Sequence, residues 1–337
     1  MTMRPIVLGM LGACCLAVSG AGAAPLTWRV VQSVAGADGG WDYASFDPVR
    51  RRVYVSRTDG VMTIDADTGA ANPHFADGAR VHAVVVLPGT DEVLSTNGGD
   101  NTARVLSAKD GSVIASIPTG KGPDAAVYDP ATRLVFVMDH AGGDITLIDV
   151  SARKAVGSIP VGGDLEFAVV DGKGRLYVNV EDKGEVAVVD TKTRKVLTRY
   201  ALKGCEEPSG LALATDGMLI AACANSVAKV LDSDTGAEIS TLAIGARPDA
   251  VIYDASRNLA YIPAGGDGTL TAIAISEPRS AKVVGTAATQ RGARTGTTDP
   301  KTGKIWLPTA QYTPPPAPGQ RPGTVPGSFK VLVLAPG

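Results

Sequence analysis

The chain has 337 residues, of which 40 are glycine and 22 are proline, a share well above ordinary usage. Apolar residues make up 45%, enough for a sizeable core, while aromatic residues reach only 5%. Lys and Arg total 32 against 34 Asp and Glu, so the formal net charge is −2. This balance disfavours a nucleic-acid-binding protein that neutralises phosphates, and the frequent turns exclude long amphipathic helices.

The first 23 residues have the organisation of a secretory signal peptide. Arg4 precedes an apolar stretch from Ile6 to Val18, and small residues follow, with Ala21 and Ala23 suited to an A-x-A cleavage site. We therefore expect cleavage near Ala23 and a mature chain that is periplasmic or secreted. No later stretch reaches the roughly 18 continuous apolar residues of a membrane span, so we expect none.

A second interpretation of the leader stays open, because 11–14 loosely resembles a lipoprotein cleavage box that would leave a lipid on Cys14. Cleavage after Ala23 would instead leave only Cys205 and Cys223, in an oxidising compartment. An even pair there favours a disulfide over two unrelated buried thiols.

An internal repeat decides the fold. Five segments share an apolar residue, Asp, a turn, a basic residue and a β-rich run, and two weaker copies fill the gaps between them. In chain order the segments occupy 46–56, 86–96, 128–138, 170–180, 213–222, 253–263 and 298–308. Their anchor positions, 40 to 45 residues apart, are Asp47, Leu87, Asp129, Asp171, Ala214, Asp254 and Asp299.

Each copy leads into a second hairpin with its own turn, such as DADTG at 65–69 and DSDTG at 232–236. Four short strands in about 42 residues are typical of a propeller blade. The sequence therefore predicts an all-β fold: a single seven-bladed β-propeller domain over 24–337, built of four-stranded antiparallel blades. Because the last repeat stops at a third strand near 329–334, the strand at 28–36 is predicted to complete the last blade and close the ring.

The repeats resemble YVTN-type repeats, and the mature chain is similar to the YncE-like seven-bladed propeller proteins of bacterial periplasms. The resemblance covers essentially all of 27–337. It implies the propeller fold and export, but it supplies no catalytic residue. The segments that carry it are GGWDY (39–43), TNGGDNT (96–102), GPDA (122–125), DGKGRLYVN (171–179), CEEPSG (205–210) and TQRGART (289–295).

One position per repeat, five residues before the anchor, is predicted to start the innermost strand and so to lie at one mouth of the central channel. The seven residues at this position are Asp42, His82, Asp124, Glu166, Ser209, Asp249 and Arg294. Converging carboxylates raise one another's pKa and attract cations. A divalent ion would find oxygen ligands on four of them, Asp42, Asp124, Glu166 and Asp249. The alternative is a wet channel in which Arg294 neutralises acidic neighbours.

Two further features lie on the same face. Loops between second and third strands, among them the one at 140–144, are predicted to rim the mouth. The proline-rich insert at 312–328 would cover the channel, serve as a docking arm, or form a solvated loop.

We expect a monomeric exported binding protein that holds a small ligand, a cation or a protein partner at this mouth, without catalysis. A lactonase-like or metal-dependent hydrolase using a channel-bound ion is the alternative, and nucleic-acid binding is a weaker one. The sequence has no G-x-S-x-G or H-E-x-x-H motif.

Overall fold

The computed structural model describes residues 1–2, 26–317, 320 and 322–337, and these form 28 strands arranged in seven four-stranded antiparallel sheets. Two short 3-10 turns, at Glu181–Lys183 and Thr215–Gly217, interrupt the strands. Residues 3–23 of the predicted signal peptide, with its cleavage site, lie outside the described residues. The predicted seven-bladed β-propeller is confirmed.

The first strand, β1 (Trp28–Ala35), precedes six blades, each made of four consecutive strands running outward from the axis. Blades one and two contain β2 (Trp41–Asp47), β3 (Arg52–Arg57), β4 (Gly60–Asp65), β5 (Ala71–Asp77), β6 (Val81–Val86), β7 (Glu92–Asn97), β8 (Thr102–Ser107) and β9 (Val113–Pro118). Blades three and four contain β10 (Pro123–Asp129), β11 (Leu134–Asp139), β12 (Asp144–Asp149), β13 (Lys154–Pro160), β14 (Leu165–Val170), β15 (Arg175–Val180), β16 (Glu185–Asp190) and β17 (Lys195–Ala201). Blades five and six contain β18 (Pro208–Ala214), β19 (Met218–Cys223), β20 (Val227–Asp232), β21 (Glu238–Ala243), β22 (Ile252–Asp254), β23 (Leu259–Ala264), β24 (Thr269–Ser276) and β25 (Ser280–Ala288).

The seventh blade joins the two ends of the chain. It contains β26 (Thr297–Thr298), β27 (Ile305–Thr309) and β28 (Lys330–Pro336), and β1 adds the outermost strand. The β1 and β28 strands pair antiparallel, from Trp28 opposite Pro336 to Ala35 opposite Lys330. The predicted closure is therefore confirmed, and the third strand of the last blade has a partner on both sides.

The core lies between the blades rather than within any one of them. Seven clusters of buried apolar side chains fill the spaces between neighbouring blades, one at each interface. At the interface that closes the ring, Met62 and Ile64 of blade one pack with Trp306 and Val331 of blade seven. A sheet with two apolar faces needs a neighbour on each, so the blades stabilise one another in a ring.

The anchor aspartates hold the turn between first and second strands. Asp47 Oδ1 accepts hydrogen bonds from the N–H groups of Val49 and Arg50 at 2.9 and 3.0 Å. Asp129, Asp171, Asp254 and Asp299 accept equivalent bonds from the residue two places on. A carboxylate that satisfies backbone donors, buried in all of these anchors except Asp171, explains why Asp recurs in the repeat.

One ion pair ties the last anchor to blade one. Arg51 donates two parallel hydrogen bonds to Asp299, at 2.7 and 2.6 Å. Although burial opposes ionisation, these bonds and the Thr302 hydroxyl lower the pKa of Asp299 to about 2. The closing interface thus has a charged contact on the face opposite the mouth, beside its apolar packing.

The predicted disulfide is present in the structure. Cys205 lies just before β18, Cys223 ends β19, and their sulfur atoms are 2.08 Å apart with Cα atoms 5.3 Å apart. The bond joins the mouth-facing ends of the two inner strands of blade five.

Deleting residues 24–36 from the mature chain should abolish cooperative thermal unfolding or cause aggregation. The deletion removes the outer of the two strands that pair with β28 and leaves an exposed strand edge. Circular dichroism melts and size-exclusion chromatography measure both effects. A control truncation of 24–26 keeps β1, and a deletion variant that melts like this control would contradict the closing role of β1.

Candidate functional site

The innermost strands carry a β-bulge at the mouth. Trp41 of β2 pairs with Arg57, but Ala44 pairs with Val55, so one extra residue is inserted between them. The same shift follows the first residue of β6, β10, β14 and β18. A bulge turns consecutive side chains out of the regular alternation. The second residue of each of these strands therefore leaves the ladder at the channel mouth.

Two of the predicted strand starts differ from the structure. The sequence places Asp249 and Arg294 at the beginning of an innermost strand, whereas β22 and β26 begin three residues later. The Asp249 N–H donates to the carbonyl oxygen of Arg294 at 3.1 Å, a bond across to the neighbouring blade. Within blade six, Pro248 still forms an isolated bridge with Ala264, so Asp249 directly follows a paired residue as Asp42 does.

A cavity of about 280 Å³ opens at this mouth. Five of the seven predicted ring residues line it. Its lining consists of Asp42, Tyr43, Arg80, His82, Gly98, Gly122, Asp124, His140, Ala141, Glu166 and Asp249. Residues of blades one to four dominate this lining, so the cavity is displaced from the axis toward them.

Two imidazoles sit among these carboxylates. His82 Nδ1 lies 2.6 Å from Asp42 Oδ2 and 3.7 Å from Asp124 Oδ1. On the other side of Asp124, His140 Nδ1 lies 3.2 Å from Glu166 Oε1. Since a neutral imidazole nitrogen without its proton coordinates metals and a protonated one pairs with carboxylates, both contacts suit either a proton or a metal ion.

A tyrosine supports the carboxylate of blade four. The Tyr43 side chain is 6% exposed, and its hydroxyl donates to Glu166 Oε2 at 3.2 Å. Burial, followed by the charge of Glu166, raises the pKa of Tyr43 well above its ordinary value. The phenol therefore stays a hydrogen-bond donor and fixes Glu166 with its other oxygen toward His140.

The acidic groups have too little positive charge around them. Burial, followed by the charges of Asp42 and Glu166, raises the pKa of Asp124 well above its ordinary value. Burial also raises the pKa of Asp249 to about 7, although the Arg294 Nε donates to this carboxylate at 2.6 Å. Ionising these carboxylates is therefore unfavourable at the mouth, where they are buried and close to one another.

Two neighbouring groups, His140 and Glu181, also have raised pKa values. The hydrogen bond to Glu166 raises the pKa of His140 to about 9, and burial raises that of Glu181 to about 7. The imidazole of His140 is thus a cation at neutral pH and supplies part of the positive charge that the carboxylates lack.

Two of the predicted ring residues lie outside the cavity lining. Ser209 is buried, and its hydroxyl donates to the carbonyl oxygen of Pro248 at 3.1 Å. Arg294 is held against Asp249 and reaches the carbonyl oxygen of Trp41 at 3.4 Å. Both side chains therefore join neighbouring blades.

Sequence reasoning did not single out Tyr43 or Arg80, and it placed His140 only in a rim loop. His140 directly follows the last residue of β11. A search of the sequence for the residue at this place in each repeat would have identified it. Arg80 precedes β6, and only the bulge brings Tyr43 to the same space as Asp42.

The described part of the proline-rich insert contacts blade one and the loop before it, and it does not line the cavity. Tyr312 and Thr324 form an isolated bridge, and the Gly327 N–H donates to the carboxylate of Asp38 at 2.7 Å. The Tyr312 ring lies 6.3 Å from the Trp41 ring. Among the described residues, no helix has the length and apolar character needed to cross a membrane.

Comparisons with known proteins support the fold class. A chain in the crystal structure of the mitotic checkpoint complex superposes with a TM-score of 0.73 at 11% sequence identity, covering 99% of this chain and 98% of that chain. Neither a protein-family model nor a curated protein sequence matches this chain. The protein is a seven-bladed β-propeller, an architecture compatible with a binding role.

Replacing Asp124 and Asp249 by Asn should change the pH dependence of stability. Their raised folded-state pKa values mean that they stabilise the fold when protonated, and this contribution is lost as pH rises toward 7. With chelator present, the double variant should match the wild type below the ordinary Asp pKa of about 3.9 and exceed it by about 1 kcal/mol or more near pH 8. Urea unfolding at both pH values measures this.

The control is the pair Asp216→Asn and Glu277→Gln, which removes two negative charges at turns on the opposite face. Its stability difference from the wild type should show no such rise with pH. If the difference in unfolding free energy between the Asp124 and Asp249 variant and the wild type is the same at both pH values, ionisation of these carboxylates does not destabilise the fold.

Proposed function

We propose that this chain is an exported β-propeller binding protein of the YVTN-repeat, YncE-like kind, which holds a small cation at the acidic mouth of its channel without catalysing a reaction. The observation that carries the proposal is the convergence of four carboxylates on one cavity. Those four are Asp42, Asp124, Glu166 and Asp249.

The charge of the cavity favours a positively charged ligand. The lining has four carboxylates against two positive groups, the Arg80 guanidinium and the His140 imidazole, while Arg294 donates to Asp249 from outside it. Burial is the main cause of the raised pKa of Asp124, and a cation that enters relieves the repulsion from Asp42 and Glu166 that adds to it. Binding energy is thus available from charge that the folded chain leaves uncompensated.

The size of the cavity favours a small ligand over a protein partner. About 280 Å³ is at the lower end of small-molecule pockets, and is sufficient for a hydrated metal ion or a short organic amine. Its walls are set by strand ends rather than by the described part of the insert. The site is therefore preformed, which lowers the entropic cost of binding.

Binding is favoured over hydrolysis by the side chains available. The described cavity lining offers carboxylates, imidazoles, a guanidinium and the Tyr43 phenol, and it has no serine, threonine or cysteine nucleophile. The phenol is committed to Glu166. A hydrolase would have to rely wholly on an ion-activated water, and the proposal does not need one.

Cation binding should raise the melting temperature of the mature chain. Ca²⁺, Zn²⁺ and spermidine are suitable probes, because they differ in ligand preference while sharing positive charge. A probe at about 100 times its dissociation constant should add roughly 2.7 kcal/mol to the folded state. The variant with Asp124→Asn and Asp249→Asn should lose this gain.

The variant with Asp216→Asn and Glu277→Gln has the same net charge and should keep the gain. Thermal melts of the three proteins with each probe make the comparison. If none of the probes stabilises the wild type, or if both variants respond alike, the mouth is not a cation site.

Export is supported by the leader and by the disulfide. We propose that residues 1–23 are removed, which would leave Cys205 and Cys223 to oxidise outside the cytoplasm. The bond closes a loop of about 19 residues and should contribute about 3 kcal/mol to stability in the chain-entropy treatment.

Protein isolated from the periplasm should therefore begin at Ala24 and contain no reactive thiol under denaturing conditions. Replacing both cysteines by serine should lower the free energy of unfolding by about 3 kcal/mol. Mass spectrometry, thiol titration and urea unfolding provide the three measurements. An intact leader or two free thiols per chain would count against export with an oxidised pair.

A further inference from the structure

The mouth contains two mixed nitrogen and oxygen donor sets that share one carboxylate. Asp42, His82 and Asp124 have one ligand atom each, and these atoms lie within 4.8 Å of one another. Asp124, His140 and Glu166 form a second set with the same property. Asp124 has two oxygens, and it is the only residue common to both sets among the described part of the chain.

The donor types indicate which cations fit. Calcium and magnesium prefer sites made wholly of oxygen, whereas imidazole nitrogen favours first-row transition metal ions such as Zn²⁺ and Co²⁺. Each set provides one imidazole and two carboxylates, and leaves further coordination positions for water. An acidic ring alone would not make this distinction, so the two histidines determine the class of ion.

The geometry around each set orients its ligands. The buried Tyr43 hydroxyl occupies Glu166 Oε2, which leaves Oε1 facing His140 Nδ1 at 3.2 Å. On the other side, a Cβ atom at Gly98 would come within 2.9 Å of His82 Nε2, so the glycine allows this ring to pack with Nδ1 toward Asp42. Such outer contacts are what hold metal ligands in place.

We propose, building on cation binding at the mouth, that the cavity holds two first-row transition metal ions, one on each donor set, bridged by the Asp124 carboxylate. Each ion would lie between an imidazole Nδ1 and its carboxylate partner, where His82 Nδ1 is 2.6 Å from Asp42 Oδ2 and His140 Nδ1 is 3.2 Å from Glu166 Oε1. A bridging carboxylate between two adjacent ions is a recurring arrangement of two-metal sites, and it offsets charge that a single ion leaves uncompensated.

The test is metal stoichiometry in the mature chain prepared without a polyhistidine tag. Isothermal titration with Zn²⁺ should give two ions per chain, and Co²⁺ should give visible absorption bands characteristic of nitrogen and oxygen ligands. His82→Gln and His140→Gln should each reduce the stoichiometry from two to one, while Asp124→Asn should weaken both ions at least tenfold. Thermal melts establish that each variant is folded.

His74→Gln is the matched control, since His74 is the remaining histidine of the chain and lies exposed on the outermost strand β5. It should retain two ions. A wild-type stoichiometry of one or none, or histidine variants that bind like the control, would overturn the two-ion centre. Stabilisation by Ca²⁺ or spermidine in that case would leave the proposed cation binding intact, whereas no response to any cation would remove both.

Discussion

Seven innermost strands run side by side around one axis, and each therefore delivers its first residues to the same small volume at the channel mouth. A side chain at this position therefore lies near the equivalent side chains of the six other blades, which does not happen in an open sheet. If the seven side chains at this position were apolar, they would fill the mouth. If they carry like charges, the charges repel one another. The arrangement of polar groups at this position consequently affects both the stability of the ring and the ligand that it accepts.

That convergence exists only while the ring is closed. The pairing of β1 with β28 and the packing of Met62 and Ile64 against blade seven keep seven blades around the axis. The buried bonds from Arg51 to Asp299 act on the opposite face of the same interface. Strain from ionised carboxylates at the mouth is thus tolerated because apolar clusters at every blade interface supply most of the stability.

The sequence predicted the features that repeat, together with the disulfide, and it missed site features that do not repeat. Repeat spacing was sufficient for the blade number, the closing strand and the positions of Asp42, His82, Asp124 and Glu166, because each depends on a periodic constraint. It was not sufficient for Tyr43, which reaches the cavity only because a bulge adds one residue to β2. Nor did it show that Ser209 would bond to the next blade, since that depends on how two particular blades meet.

The departure from seven-fold symmetry is what makes the mouth a site. If all seven positions carried the same carboxylate, the potential would be greatest on the axis and any cation would be held there without directional ligands. In this chain Arg294 donates a hydrogen bond to Asp249, and Ser209 donates one to the carbonyl oxygen of Pro248. The polar groups of blades five to seven at the mouth are therefore bonded to one another. The uncompensated donors are left on blades one to four, where two imidazoles stand beside them. Differences between the repeats therefore give an off-axis pocket lined by nitrogen and oxygen donors in place of a symmetric acidic ring, and the proposed selectivity for one class of cation depends on this donor set.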